Sequence, residues 1–331
     1  MGINNKTGTY EFGADLVRIT ALFLVFWLHY FLKTGFYSYE AKNIWSFLAV
    51  MFRPVANCCV PLFCILTGYL KSRKNWTAQY YISIIPIAVS WLAISILEQI
   101  FKYYYLHEEV SFGSWLWDYF SFSQVNYSWY IGMYTGLFFL SPILNHLWTS
   151  CCSRQHKGIL ATILAVTMLP PSLNSILSAF GLSANLIPAY FTPAYFTAYY
   201  FVGCWIRTYR PIIRRWIIAA LVMMITAMLA VINILTRSYS AQYYTGYDAE
   251  WNNIIIALLA ALIFIFLYHT DTKSVLADSV IYGYTAFKYT GLMYLLVGAV
   301  STLAVYAVSF ITGFCIHFLT SFFIKKTGFR I

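Results

Sequence analysis

Hydrophobic residues in this chain come in runs of about 20, separated by short polar gaps, and that spacing predicts membrane-crossing helices. The runs fall at roughly 13–32, 44–70, 79–104, 128–148, 158–180, 187–206, 216–235, 252–270, 275–298 and 300–324, and the polar gap before the last almost vanishes. The fold class that follows is all-α: a polytopic integral membrane protein of about ten transmembrane helices. Residues 1–331 read as a single transmembrane domain, because no stretch of soluble composition is long enough to build a separate one. Pro170-Pro171 interrupts the fifth run. The tandem Pro-Ala-Tyr-Phe-Thr at 188–192 and 193–197 predicts kinks or a non-helical entry to the sixth.

Composition strengthens this picture. The chain is 61% hydrophobic and 10% charged, against about 25% charged residues in soluble domains, and its mean hydropathy is +0.68. The first run reads as a retained span. Arg18 and His29 interrupt it, Glu11 and Asp15 precede it, and it has no small-residue cleavage site. Seven cysteines show no disulfide framework and no metal spacing, so no metal is expected and the thiols read as small buried hydrophobes.

Charge adds a direction. With the N-terminus inside, the inside loops and ends gather the basic residues, among them Lys71, Arg73, Lys74, Arg154, Lys157 and the Arg207/Arg210/Arg214/Arg215 run. The outside loops keep only Lys33, Lys42, Lys102 and Arg237, together with most of the acids. The positive-inside rule therefore predicts N-in, C-in. The net charge of +10 belongs to these loops and not to nucleic-acid binding, for which no recognition module is present. Sequons at Asn5 and Asn75 fall on the inside and are discounted.

The candidate chemistry lies within the runs. Arg18 and His29 are eleven residues apart, three turns of helix, so they share one side of the first span about 16 Å apart along its axis. Polar groups at membrane depth are expensive and point to function by default. The structural alternative is that Arg18 pairs with Asp15 and anchors the helix, with His29 a satisfied core histidine. Arg53 and Asn57 in the second run are one turn apart and fit one cavity wall. Glu98 in the third run is a partner for a cation, and Lys288 lies in the ninth.

Several of these residues belong to longer patterns. Asp15-Leu-Val-Arg18, ten residues, then His29 resembles the first helix of the acyltransferase family 3 proteins. Val60-Pro61-Leu62-Phe63 through Thr67-Gly68-Tyr69-Leu70 resembles that family's Val-Pro-Leu-Phe-Phe-x-x-Ser-Gly-Tyr-Leu, and the basic loop Lys71, Arg73, Lys74 follows it. Ser128-Trp129-Tyr130-Ile131 through Ser141-Pro142 is similar to its Leu-Trp-Phe-Leu … Ser-Pro-Leu segment. Tyr200-Phe201-Val202-Gly203 is similar to its Tyr-Phe-x-x-Gly. Three departures stand out. No carboxylate follows Trp129, where Met133, Tyr134 and Thr135 stand. Gln79 to Ser83 replaces the paired arginines of the third span. Val297 sits where the family commonly has histidine.

The resemblance implies a ten-helix enzyme of the bacterial cytoplasmic membrane. Such an enzyme moves an acyl group, usually acetyl, from acyl-CoA to a hydroxyl of a cell-surface or lipid-linked glycan. The implied partners are acyl-CoA, the glycan acceptor and the bilayer. His29 suits the general base, since histidine titrates near neutrality, and Arg18 suits positioning of the donor. Lys71, Arg73 and Lys74 are candidates for the CoA phosphates, with Arg53, Asn57, Glu98 and Trp129 as cavity candidates. Two further classes fit intramembrane charge: a transporter or flippase for a glycan or small polar solute, and a non-catalytic acyltransferase-like membrane domain.

Overall fold

A computed structural model describes residues 12–33, 36–38, 44–108, 111–123, 128–178, 182, 189–235 and 250–268. Every regular element among them is helical: α1 Phe12–Lys33, α2 Ile44–Asn57, α3 Cys59–Lys71, α4 Ala78–Ile82, α5 Ile85–Phe101, α6 Phe112–Ser121, α7 Trp129–Thr149, α8 Ser153–Thr167, α9 Leu169–Ser178, α10 Tyr195–Tyr209, α11 Arg215–Leu235 and α12 Ile254–Tyr268. The ninth and tenth runs, with Lys288 and Val297, lie outside the described residues.

Local chemistry explains where the helices break. The second run is two helices meeting at Cys58, where Pro54 within α2 and Pro61 in the first turn of α3 each remove a backbone donor. The third run divides at Ser83–Ile84, just ahead of Pro86 in the first turn of α5. The fifth divides at Met168, before Pro170-Pro171. The tandem repeat enters α10 as a 3-10 turn over Ala189–Ala194, the non-α entry its prolines predict. Among the described residues, five stretches are long and apolar enough to cross a membrane: Gly13–Leu32, Ile44–Lys71, Ala78–Tyr104, Ser153–Leu177 and Arg215–Leu235. The apolar α12 is shorter.

The chain divides into two compact units. Among the described helices, α1–α3 and α8–α12 form the first. Its centre is the crossing of α3 and α10, where backbones touch. A Cβ on Gly68 would collide with the carbonyl of Tyr200, and one on Gly203 with the carbonyl of Ile65. Small residues permit such close approach between membrane helices. Tyr69, Tyr199 and Tyr200 around it are fully buried. Contacts also set directions. Tyr199 Oη, near the start of α10, donates to the Trp251 carbonyl just before α12 (2.6 Å). Tyr69, near the end of α3, packs on Phe264 and Tyr268 at the end of α12. Hence α3, α10 and α12 run the same way. α1 runs opposite, since Gly13 at its start abuts the backbone of Tyr268. The second, sixth and eighth runs share a direction and the first opposes them, as alternate crossing demands.

The second unit contains α4–α7. Tyr80 stacks on Phe138 (ring centroids 4.4 Å apart) and donates from Oη to the Phe138 carbonyl (2.8 Å). Asn145 Nδ2 donates to the Lys74 carbonyl (2.8 Å), so α7 runs antiparallel to the segment entering α4 and α5. Helix α6 falls where the hydrophobic runs predict only a loop. Ser111 caps it by accepting from the Ser114 amide (3.2 Å), and it stops at Phe122, whose left-handed φ of 55° turns the chain.

Candidate functional site

Helix α1 carries the two leading candidates. Its seam into the first unit is Ala14, Val17, Ala21, Leu24, Leu28 and Phe31, all buried. Arg18 and His29 lie roughly a third of a turn away from the middle of that seam, on its flank. Arg18 is paired with Asp15, and the two side chains are 49% and 30% exposed. The pair therefore sits at the open end of α1, and the anchoring contact expected from the sequence is present. His29 is half-buried, three turns further along.

Aromatic packing fixes the height of His29. Trp27 meets Phe52 of α2 edge-on at 5.1 Å, and Phe31 lies 6.4 Å from the same ring. Two residues along a helix is a rotation of about 200°, so His29 projects away from the side on which Trp27 and Phe31 grip α2. Arg53, next to Phe52, is thus at a similar height, but α2 approaches α1 from the other side. Arg53 and Asn57 are only 5% and 1% exposed, and Arg53 Nε donates to Tyr37 Oη (3.4 Å). A guanidinium this deeply buried in an apolar helix is costly unless hydrogen-bonded, and Tyr37 supplies part of what it needs.

The remaining candidates are dispersed. Lys71 ends α3 and is half-buried. Arg73 and Lys74 are exposed in the second unit, where the Lys74 carbonyl is held by Asn145. Glu98 pairs with Lys102 of the next turn (3.0 Å), with side chains 20% and 24% exposed. The cation it answers is thus on its own stretch of chain. Trp129 opens α7 and is half-buried. Of the cysteines, Cys58, Cys59, Cys64 and Cys204 are buried as expected, whereas Cys151 and Cys152 are not. Those two occupy the turn between α7 and α8, where no core forms around them.

One cluster was not anticipated. Arg207, in the last turn of α10, donates from Nη1 to Tyr69 Oη (2.8 Å), and its guanidinium carbon lies 4.7 Å from the Tyr69 ring centre. Tyr69 in turn hydrogen-bonds Tyr268 through their hydroxyls. The C-terminal ends of α3, α10 and α12 converge there, and a cation complements their combined negative dipole ends. In the sequence Tyr69 lies inside one matched motif and Arg207 four residues beyond the Gly203 that closes another, but nothing local pairs them.

These features define a class: a helical membrane protein with an arginine and a histidine on one side of its first long apolar helix and a buried arginine in the next. The profile of the acyltransferase domain of acyltransferase family 3 matches residues 12–324, nearly the whole chain, so the protein belongs to that family. No curated protein and no solved structure matches it. It is a membrane acyltransferase-family protein.

Proposed function

We propose that this protein is an O-acyltransferase of the bacterial cytoplasmic membrane. It takes an acetyl or other acyl group from acyl-CoA and passes it to a hydroxyl of a cell-surface or lipid-linked glycan. The observation that carries this reading is the family match over 12–324 together with Arg18 and His29 on one side of α1, three turns apart. The chain crosses the membrane ten times with both ends inside, in accord with the distribution of basic residues.

The chemistry needs few parts. A sugar hydroxyl is a weak nucleophile at neutral pH, so a base must take its proton as its oxygen attacks the thioester carbonyl. His29 takes that proton. The new C–O bond forms, the C–S bond breaks, and the proton returns to the departing CoA thiolate. Arg18, at the end of α1 that the topology places inside, guides the donor; its partner Asp15 holds the guanidinium until phosphate or pantetheine competes for it. Lys71, Arg73 and Lys74 give the nucleotide phosphates further positive charge. Arg53 and Asn57 are acceptor-contacting candidates in the first unit, and Trp129 is one in the second. Glu98, already paired with Lys102, contributes through that pair.

The test is transfer of radiolabel from acetyl-CoA into the host's own glycan, in membranes with and without the protein. Label entering the glycan only with the protein supports the proposal. Uptake or translocation of a glycan with no transfer from any acyl-CoA overturns it in favour of a transporter.

A further inference from the structure

Helix α6 presents three different sides. Toward α5 it places Trp115 and Tyr119: Trp115 Nε1 donates to Ser95 Oγ (3.1 Å), Tyr119 Oη donates to the Ala88 carbonyl (3.3 Å), and Tyr119 stacks on Trp91 at 6.2 Å. Moving forward along α6 moves backward along α5, so α6 runs antiparallel beside it. The part of α5 it follows lies inside the membrane-crossing stretch Ala78–Tyr104. The second side is polar. Ser114, Asp118 and Ser121 share one arc, and Asp118 accepts from Ser123 Oγ (3.0 Å). The third is apolar and open: Phe112, Trp117 and Phe120 are 73%, 73% and 69% exposed, with Leu116 among them. That arc covers roughly 140° of the helix.

What covers the open arc is read from its surroundings. α5 itself leaves Leu92, Ile96, Leu97 and Ile100 exposed beside the face that holds Trp91 and Ser95. On a helix of a membrane-crossing stretch these are lipid-facing positions. The α6 arc continues that apolar surface without a polar break. Because α6 lies alongside the membrane-crossing α5, both arcs share its depth: the apolar arc suits hydrocarbon, and polar side chains at that depth turn toward water.

We infer that α6 is a membrane-embedded helix whose Phe112, Leu116, Trp117 and Phe120 face the hydrocarbon chains of the bilayer, while Ser114, Asp118 and Ser121 face water on its other side. The helix is tied to a candidate site residue. At its end the Phe122 ring covers Gly132, where a Cβ would approach it to 2.9 Å, and Gly132 is one turn into α7 from Trp129. The inference does not depend on which reaction the protein catalyses.

The test places the photoreactive residue p-benzoylphenylalanine at 117, 120, 114 or 121 of the full-length protein in native membranes, with adducts identified by mass spectrometry after irradiation. Phospholipid adducts at 117 and 120, lost at 114 and 121, are expected. Adducts at 117 and 120 to a protein, a second copy included, overturn the inference, as does equal lipid labelling at all four positions. A readout independent of photochemistry is a genetically encoded spin label at the same positions. Dissolved oxygen should relax it preferentially at 117 and 120, and a water-soluble nickel chelate at 114 and 121. The reverse order overturns the inference.

Discussion

The α3–α10 crossing and the α5–α6 hairpin are built from equally apolar sequence and solve opposite problems. In the stretch Ile44–Lys71, 72% of the most apolar window is buried, whereas in Ala78–Tyr104 only 17% is. Their mean hydropathies are nearly equal, 1.8 and 1.9, so apolar character alone does not decide which helix becomes core. The deciding feature is small residues at the right spacing. Gly68 and Gly203 let two backbones touch, and in a bilayer such packing must supply the association that water would otherwise drive. Helix α5 has no glycine and meets α6 through aromatic rings and long side chains, which leaves most of its own surface to lipid.

Glycine substitutions break this comparison most forcefully. Gly68→Ala and Gly203→Ala drive a methyl into backbone carbonyls that cannot swing away, and each should destabilise the first unit by about 3 kcal/mol. The loss is visible as a lower melting temperature in detergent and reduced folded yield. A melting temperature equal to wild type would show that the backbones are not in contact.

A smaller effect is expected at the convergence of helix ends. Arg207→Ala removes a charge-assisted hydrogen bond to Tyr69 and should cost about 1.5–3 kcal/mol; Tyr268→Phe, which removes a neutral one, should cost about 1 kcal/mol. Thermal melts of the two single variants and the double variant show whether they act as one cluster, in which case the losses do not add.

The second unit should answer the glycine test differently. At Gly132 the neighbour is the Phe122 side chain, which can rotate, so Gly132→Ala should cost under about 1 kcal/mol. Gly136 has nothing within 4 Å of a built Cβ, and Gly136→Ala should raise stability by about 0.5–1 kcal/mol through helix propensity alone. The sign change between Gly68 and Gly136, read in the same melt, is the sharpest form of the comparison.

Much of the architecture was legible in the sequence because bilayer thickness imposes a length on every apolar run. Boundaries at 13–32, 128–148 and 216–235 recur within a residue or two in α1, α7 and α11. What period and length could not reveal was the splitting of the second, third and fifth runs. Pro170-Pro171 signalled the break in the fifth, while the break in the third, just ahead of Pro86, was not read from the sequence; in the second, the break at Cys58 sits between Pro54 and Pro61 rather than at either one. Helix α6 was hidden because ten residues with two serines and an aspartate on one arc fall below any membrane-length criterion.

Site legibility followed the same division. The shared side of Arg18 and His29, and the Asp15 partner of Arg18, followed from helix geometry and spacing. The Glu98–Lys102 pair is an i,i+4 spacing already present in the sequence, whereas the burial of Arg53 against Tyr37 depends on which segments meet, which spacing within one helix does not encode. The Arg207–Tyr69–Tyr268 cluster joins three segments far apart in the chain, so nothing local announced it.

The central claim is that His29 is the base of an acyl transfer. Its most direct test compares radiolabel transfer from acetyl-CoA into host glycan by the wild type, Arg18→Ala and His29→Ala, at matched protein levels and matched melting temperature. The account predicts that His29→Ala lowers transfer by about 10²–10⁴-fold. Arg18→Ala should act mainly through a raised requirement for donor. Transfer by His29→Ala at the wild-type rate would contradict the account and move the base to another residue of the chain.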